Sequence, residues 1–357
     1  MDYKKIFDYT RRADAIVIMN GGENSTDKTF FYLTGARSGI FEGSALIVTR
    51  DNIKIITSRL EESAARETGI ETLIFNTRHE MEEIIRNETK NFDNIGLNYS
   101  SMTLSLYRDL MRIIPDKDFI DVSESILEAR KIKEPEELEK IKKAAKIASD
   151  ALENAINKIK EGMTESELAS EVAYSMMRLG ASGPSFNTIV AFGENSAIPH
   201  YSPGDKKLKK GDFVLIDYGA LYNRYCSDVT RTMVFGNASD EQRDIYETVK
   251  EAQQKSMDAI KAGMNGRDVD GIARSIIDEK YPGRFIHSLG HGVGMDVHDH
   301  PALSPSYDFI LKRNMVVTVE PGIYIPETGG VRIEDDVVVT DSGHIRITTA
   351  PRDLIEL

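Results

Sequence analysis

The sequence contains no tryptophan, one cysteine, and fewer basic than acidic residues, 45 against 58. Each shortage removes a class of explanation. A lone cysteine, Cys226, cannot form an internal disulfide, so nothing ties the chain to an oxidising compartment. The formal charge of −13 opposes sequence-independent attachment to nucleic acid or to anionic lipid. No run approaches the roughly 20 consecutive apolar residues of a membrane span. The N-terminal stretch MDYKKIFDYTRRADAIVIM lacks an unbroken apolar segment ending in a small-residue cleavage site. The expectation is a cytoplasmic protein with no nucleic-acid and no membrane partner.

What is present is ordinary for a folded chain: 40% of residues are apolar and 29% charged. A length of 357 residues suggests two domains of about 100–200 residues each. The first third alternates short β-branched runs, AIVIM at 15–19, GSALIVT at 43–49, NIKIIT at 52–57, TLIF at 72–75 and NIGLNY at 94–99, with helical stretches at 79–90 and 101–113. This predicts a small α/β domain over residues 1–124. The text then changes to DVSESILEARKIKEPEE, where Pro135 suits a first helical turn and Glu134, Glu136 and Glu137 suit the positive end of a helix dipole. A long helix is predicted from there to about Lys160, with Gly162 as a stop and Thr164 opening the next helix with a capping-box pattern, TESE. Strands around 187–235, two helices over 239–280 and strands from 285 onward complete a second domain, 125–357, so the fold class is α/β (α+β).

The chemistry concentrates in five separated residues. Asp217 closes the apolar run of DFVLIDYGA, and Asp228 follows eleven residues later in NRYCSDVTRT. That spacing fits two antiparallel strands joined by a turn at Leu221–Arg224, which brings both carboxylates to one place. His291 lies in FIHSLGHGVGMDVHDHP, Glu320 in VVTVEPGIY and Glu334 in GGVRIEDDVVV. Singly, each has a structural alternative: an aspartate at a strand end is commonly a turn former, and a histidine between glycines commonly bonds its own loop. Together they imply cations, because converging carboxylates raise one another's pKa unless neutralised. Oxygen-rich ligation with one imidazole suits Mn2+, Co2+ or Zn2+ better than a thiolate-seeking ion.

The ordered set, each residue in its own local sequence, resembles the pita-bread metallopeptidases, the family of methionine aminopeptidase, aminopeptidase P and Xaa-Pro dipeptidase (prolidase). The resemblance covers nearly the whole chain: the part containing FFYLTG at 30–35 is similar to the small creatinase-like domain of the proline-specific branch, and 125–357 to the catalytic domain. It implies two divalent metal ions. Asp217 resembles a ligand to one, His291 and Glu320 ligands to the other, and Asp228 and Glu334 bridging ligands. It further implies a metal-bridging hydroxide as nucleophile, with Glu320 shuttling its proton.

Other residues enter through the same resemblance. His200 in AIPHYSP matches a histidine near the scissile amide, and His298 in DVHDHP one that bonds the substrate carbonyl. His287 and Tyr324 match residues of the proline-specific enzymes, and Arg332 their arginine that steadies the metal-bound carboxylates. His300 reads as structural and Cys226 is assigned no role.

The implied reaction is cleavage of an Xaa-Pro bond in proline-containing dipeptides or short peptides, most simply as a dipeptidase; aminopeptidase P is the alternative. Some dipeptidases of the family place an arginine just after the HDxP stretch to hold the substrate carboxylate, whereas this chain has Ala302 in HDHPALS. In a homodimer, the family habit, Arg37 in GARSGIFEG could supply that cation from the neighbouring subunit. Methionine aminopeptidase would not need residues 1–120. A non-catalytic binding protein of the same fold would have lost ligands that are intact here.

Overall fold

The computed structural model describes residues 3–357 and divides into two units, Met1–Arg130 and Lys131–Leu357.

The first unit is built on a six-stranded mixed sheet. Its order is Glu71–Phe75, Ile53–Ser58, Ala45–Thr49, Ala15–Met19, Asn94–Leu97, Asp118–Asp121. The strand Ala15–Met19 is buried along its whole length, as its uninterrupted apolar run requires of a central strand. It pairs antiparallel with Ala45–Thr49 and parallel with Asn94–Leu97. The helices Arg78–Thr89 and Leu104–Ile113 start where Thr77 and Thr103 accept backbone N–H groups from Glu80 and Leu106. FFYLTG forms the end of the helix Lys28–Thr34, closed by Gly35 at φ 65°. Ala15, Val17, Ile47, Ile85, Ile95 and Leu110 share one core.

The second unit repeats one plan, helices followed by strands, twice. The helices Pro135–Ile156 and Glu165–Arg178 precede a sheet ordered Val229–Val234, Phe213–Tyr218, Ile189–Phe192. The helices Asp240–Ala259 and Gly266–Lys280 precede one ordered Asp299–Leu303, Gly290–Gly292, Val316–Val319, Asp335–Val339, His344–Arg346. The capping box at Thr164 forms, with Glu167 accepting the Thr164 N–H at 2.7 Å. The first helix stops at Ile156 rather than near Lys160, because Lys158 and Ile159 turn their N–H groups onto Ala155 and Ile156 in a tighter coil.

Strand alternation sorts side chains between core and site. On Phe213–Tyr218, Val214, Ile216 and Tyr218 pack with Ala148, Leu152 and Val172 of the first helix pair, so Asp217 faces the other way. Val317 and Val319 join the core of the second helix pair, as do Val331, Ile333, Val337 and Val339. The intervening Thr318, Glu320, Arg332, Glu334 and Asp336 therefore share the opposite side.

Candidate active site and metal centre

The antiparallel pairing of Phe213–Tyr218 with Val229–Val234 sets Asp217 opposite Thr230. Beyond it the hairpin continues through Ala220–Tyr222 and Tyr225–Cys226, so the turn shrinks from the four expected residues to Asn223 and Arg224, both at positive φ. Asp228, just before the second strand, donates its backbone N–H to Asp336 Oδ2 at 2.9 Å. Arg332 and Glu334 lie on one side as their spacing predicts, although no single strand carries both: pairing shifts at Ile333–Glu334 from Gly322–Ile325 to Val316–Val319.

His291 sits between glycines for a steric reason. A Cβ on Gly290 would collide with the Thr318 carbonyl, and one on Gly292 with the His300 carbonyl. The His291 N–H bonds Thr318 Oγ1 at 3.0 Å, and that hydroxyl donates to Glu320 Oε1 at 3.1 Å. His291 Nδ1 lies 3.0 Å from the Gly292 carbonyl, which can only accept, so Nδ1 carries the proton. The Nε2 lone pair is thereby aimed at Glu320 Oε1, 3.3 Å away, and Asp228 Oδ2, 3.6 Å away. Lone pairs converging in this way need a cation between them, either a proton or a metal.

The carboxylates report the same crowding. Burial, then the charge of Glu334, drives Asp228 well above the usual carboxylate range. Burial, then Glu320 and Asp217, does the same to Glu334. Asp336 is pushed up to about 8, chiefly by burial. Burial works to raise Glu320 also, but bonding to His291 prevails and holds it low. Three buried carboxylate oxygens, Asp217 Oδ1, Asp228 Oδ1 and Asp336 Oδ1, have no hydrogen-bond partner. Ligand atoms of Asp228, His291 and Glu334 lie within 4.8 Å of one another. Orphaned buried oxygens, mutual charge repulsion and an oxygen-rich donor set with one imidazole fit divalent cations.

A cavity of about 580 Å3 opens on this cluster, a volume suited to a small ligand. Its walls hold Asp217, Asp228, His291, Glu320, Glu334, His200, His287, His298 and Arg332, together with Ala302. The His298 ring stands 4.4 Å from that of His291. Tyr324 stands behind the wall in a directed chain. His287 Nδ1 bonds the Ser288 carbonyl at 2.8 Å, so its proton is there and Nε2 accepts. Tyr324 OH donates to that Nε2 at 2.8 Å and accepts from Arg332 Nη1 at 2.8 Å. Burial depresses the His287 pKa, which keeps the ring neutral as this chain requires. Arg332 Nη2 also reaches Asp217 Oδ2 at 2.5 Å. Arg37 belongs to the other unit, exposed in the loop after Lys28–Thr34.

Sequence reasoning overlooked several contributors. Thr230 bonds both Glu334 and Arg332, and Arg231 Nη1 donates to the Glu334 carbonyl at 2.5 Å while its Nη2 meets Asp335 at 2.7 Å. Asp335 and Asp336 are fully buried. Their signal was available: two further acidic residues in EDDVVV, inside an otherwise apolar strand.

A buried cluster of this kind, open to a small-ligand cavity, defines a metal-dependent hydrolytic centre, and the chain belongs to metallopeptidase family M24, which residues 139–341 match. Residues 10–132 match the Creatinase/Prolidase N-terminal domain. The pita-bread fold expected from the sequence is thus the fold of the second unit. The chain is 42% identical over 342 residues to the Xaa-Pro dipeptidase of Pyrococcus furiosus, covering 93% of this chain and 96% of that one. It superposes on the prolidase of Pyrococcus horikoshii OT3 with a TM-score of 0.90 at 38% identity, covering 99% of each. It superposes on the X-Pro aminopeptidase of Thermotoga maritima MSB8 with a TM-score of 0.92 at 36% identity, covering 97% and 98%. Among the described residues no helix is long and apolar enough to cross a membrane.

Proposed function

We propose that this metallopeptidase is an Xaa-Pro dipeptidase, hydrolysing the bond on the amino side of proline in dipeptides. The observation that carries the reading is the set of Asp217, Asp228, His291, Glu320 and Glu334 lining a cavity of dipeptide size together with His200, His287 and His298. These five would hold two divalent cations, Mn2+, Co2+ or Zn2+, with Asp228 and Glu334 shared between them. When bound, the cations supply Lewis acidity, polarising the amide carbonyl and easing ionisation of water.

The remaining work falls to side chains. Glu320 takes a proton at its carboxylate and passes it toward the amide nitrogen. His298, exposed at the cavity, donates to the carbonyl oxygen as negative charge develops there. His200 orients the peptide, or relays that same proton from Glu320 to the leaving prolyl nitrogen. His287, kept neutral and aligned by Tyr324, contacts the peptide from the wall. Arg332 balances the charge of Asp217 and fixes Tyr324. A prolyl amide nitrogen has no N–H to offer, so recognition must rely on the shape of the ring. Residues 1–124 and 125–357 serve as the accessory and catalytic domains. Arg37 of a neighbouring subunit in a homodimer is assigned to the substrate carboxylate. The compartment is the cytoplasm.

One observation favours aminopeptidase action instead. Ala302 lines the cavity where a cation for a free carboxylate would be useful. The deciding experiment is hydrolysis of Met-Pro and Met-Pro-Gly by metal-stripped protein reloaded with Mn2+, Co2+ or Zn2+. Proline release from Met-Pro alone supports the dipeptidase. Cleavage of the tripeptide at an equal or greater rate replaces it with the aminopeptidase, and inactivity on both refutes proline specificity.

A further inference from the structure

Residues 199–202 of the cavity lining belong to a loop, and a buried carboxylate outside the metal cluster bonds the chain on either side of them. Glu165 is the first residue of the helix Glu165–Arg178 and is fully buried. Its Oε1 accepts from the Phe192 N–H at 2.9 Å and from Asn195 Nδ2 at 2.9 Å. Its Oε2 accepts from Tyr201 OH at 2.9 Å and from the Gly204 N–H at 3.1 Å. All of the roughly four acceptor positions of a carboxylate are therefore in use. The helix N-terminus favours the negative charge there.

The two oxygens divide the loop between them. Oε1 grips its start, where the strand Ile189–Phe192 ends, and Oε2 grips its far side. Next along the helix, the Ser166 N–H and Oγ both donate to the Gly204 carbonyl, at 3.0 and 2.9 Å. Tyr201 closes the ring by accepting from Asn195 Nδ2 at 2.7 Å while it donates to Glu165. Between the grips Ser196 is buried and its Oγ accepts from the Gly330 N–H at 2.7 Å, whereas the stretch after it is more open: Ile198 is 52% exposed, and His200 is exposed and lines the cavity with Tyr201 and Ser202.

We propose that Glu165 is a positioning residue: by stapling residues 192–204 it sets the place from which His200 addresses the substrate amide. Glu165 is not among the residues that line the cavity and its side chain bonds Phe192, Asn195, Tyr201 and Gly204, so it acts through the loop that carries His200. A loop held at two ends by one anion loses that placement when the anion is altered. Displacing a catalytic group by about 1 Å can cost on the order of a hundredfold in rate. The kinetic part of this inference rests on the peptidase reading above; the structural part does not.

The test is E165Q, which keeps the size of the side chain but turns an amide nitrogen toward one pair of donors; Tyr201 and Asn195 can reverse their roles, but the backbone N–H of Phe192 or of Gly204 must lose its acceptor. Hydrogen exchange followed by mass spectrometry should quicken across 193–204 and stay unchanged in the sheets that carry the carboxylates. Mn2+ affinity by calorimetry should be unaltered. With Met-Pro as substrate, kcat/KM should fall about tenfold, but less than about twofold when E165Q is introduced into H200A, because the residue being placed is gone. Y201F, which removes only one hydroxyl, should give a smaller loss with the same dependence on His200, and it answers the question if E165Q fails to fold. Unchanged exchange across 193–204, or losses that multiply fully in the double variant, overturns the proposal. If the unaltered protein cleaves no Xaa-Pro peptide, the peptidase reading falls, and the exchange measurement alone decides for or against the staple.

Discussion

The hydroxyl of Thr230 donates to Glu334 Oε2 at 2.6 Å. It accepts in turn from Arg332 Nε at 3.0 Å. Thr230 is fully buried, so a single oxygen orients a proposed bridging carboxylate and the guanidinium beside it. Replacement by valine keeps the shape and leaves both partners unsatisfied. T230V should weaken metal affinity by about tenfold or more and destabilise the protein by about 1–3 kcal/mol. Calorimetric titration with Mn2+ checks the first and thermal melting the second; unaltered affinity would show that Thr230 serves packing alone.

Removing charge from the cluster should separate the metal-free and metal-loaded states. Without cations, burial and then the charges of Glu334, Asp217 and Asp336 force Asp228 to take up a proton on folding, a cost that an asparagine does not carry. D228N should therefore melt higher than the unaltered chain when both are metal-free, by about 2 °C. It should also lose most of the gain in Tm that added Mn2+ gives the unaltered protein. A variant stabilised by Mn2+ as strongly as its parent would remove Asp228 from the ligand set.

The same crowding fixes a pH dependence for the metal-stripped protein between pH 6.5 and 8. In this window Asp336, raised by burial from 3.8 to about 8, and the raised Asp228 and Glu334 retain protons in the folded state that the unfolded chain has already released. Burial lowers His291, but Glu320 more than offsets it, so its pKa is raised from 6.5 and acts in the same direction. His287, His298 and His344, depressed by burial, act in the opposite direction near pH 6.5, where an unfolded histidine is about half protonated, but the three raised carboxylates and His291 outweigh them across the window. The folded state thus binds more protons than the unfolded one, and stability falls as pH rises. Tm should be lower at pH 8 than at pH 6.5, and saturating Mn2+ should flatten the trend. A metal-free Tm that holds or climbs would contradict the assignment.

Tyr324 is the joint between Arg332 and His287, and phenylalanine would break the directed chain at both bonds. Y324F should lower kcat about tenfold while the number of metal ions bound is maintained. Steady-state kinetics with metal analysis distinguishes this from loss of the metal centre.

Arg37 is proposed to reach the substrate carboxylate from a neighbouring subunit, so R37A should act on binding rather than on chemistry. KM for Met-Pro should rise about tenfold with kcat nearly unchanged. An unchanged KM removes Arg37 from the site.

Much of the fold was legible because strands and helices write their burial into local periodicity. AIVIM became the strand Ala15–Met19 without adjustment, and the helix Arg78–Thr89 differs from its expected span by one residue at each end. The five proposed ligands were legible for a related reason. Asp217 interrupts an apolar strand whose neighbours Ile216 and Tyr218 must be buried, and Glu334 stands beside Ile333, which joins the core. Period two sends such a residue to the face opposite the core, wherever that core is. Where the expectations slipped, at Ile156 and at Asn223–Arg224, the detail lay in turn hydrogen bonding rather than in periodicity.

By itself, then, the sequence determined the order of elements, which residues turn away from the core, and the acidic, metal-seeking character of the second unit. Only the tertiary structure decided which of those residues meet. Thr230 and Glu334 are 104 positions apart, Asp228 and Asp336 are 108 apart, and Glu165 bonds Phe192, 27 positions on, at the start of a loop whose own sequence shows no need of a carboxylate. The physical reason is that side-chain parity is a local property of a strand, whereas the partner facing it depends on which strands pair and in what register, a choice made by the packing of the whole unit.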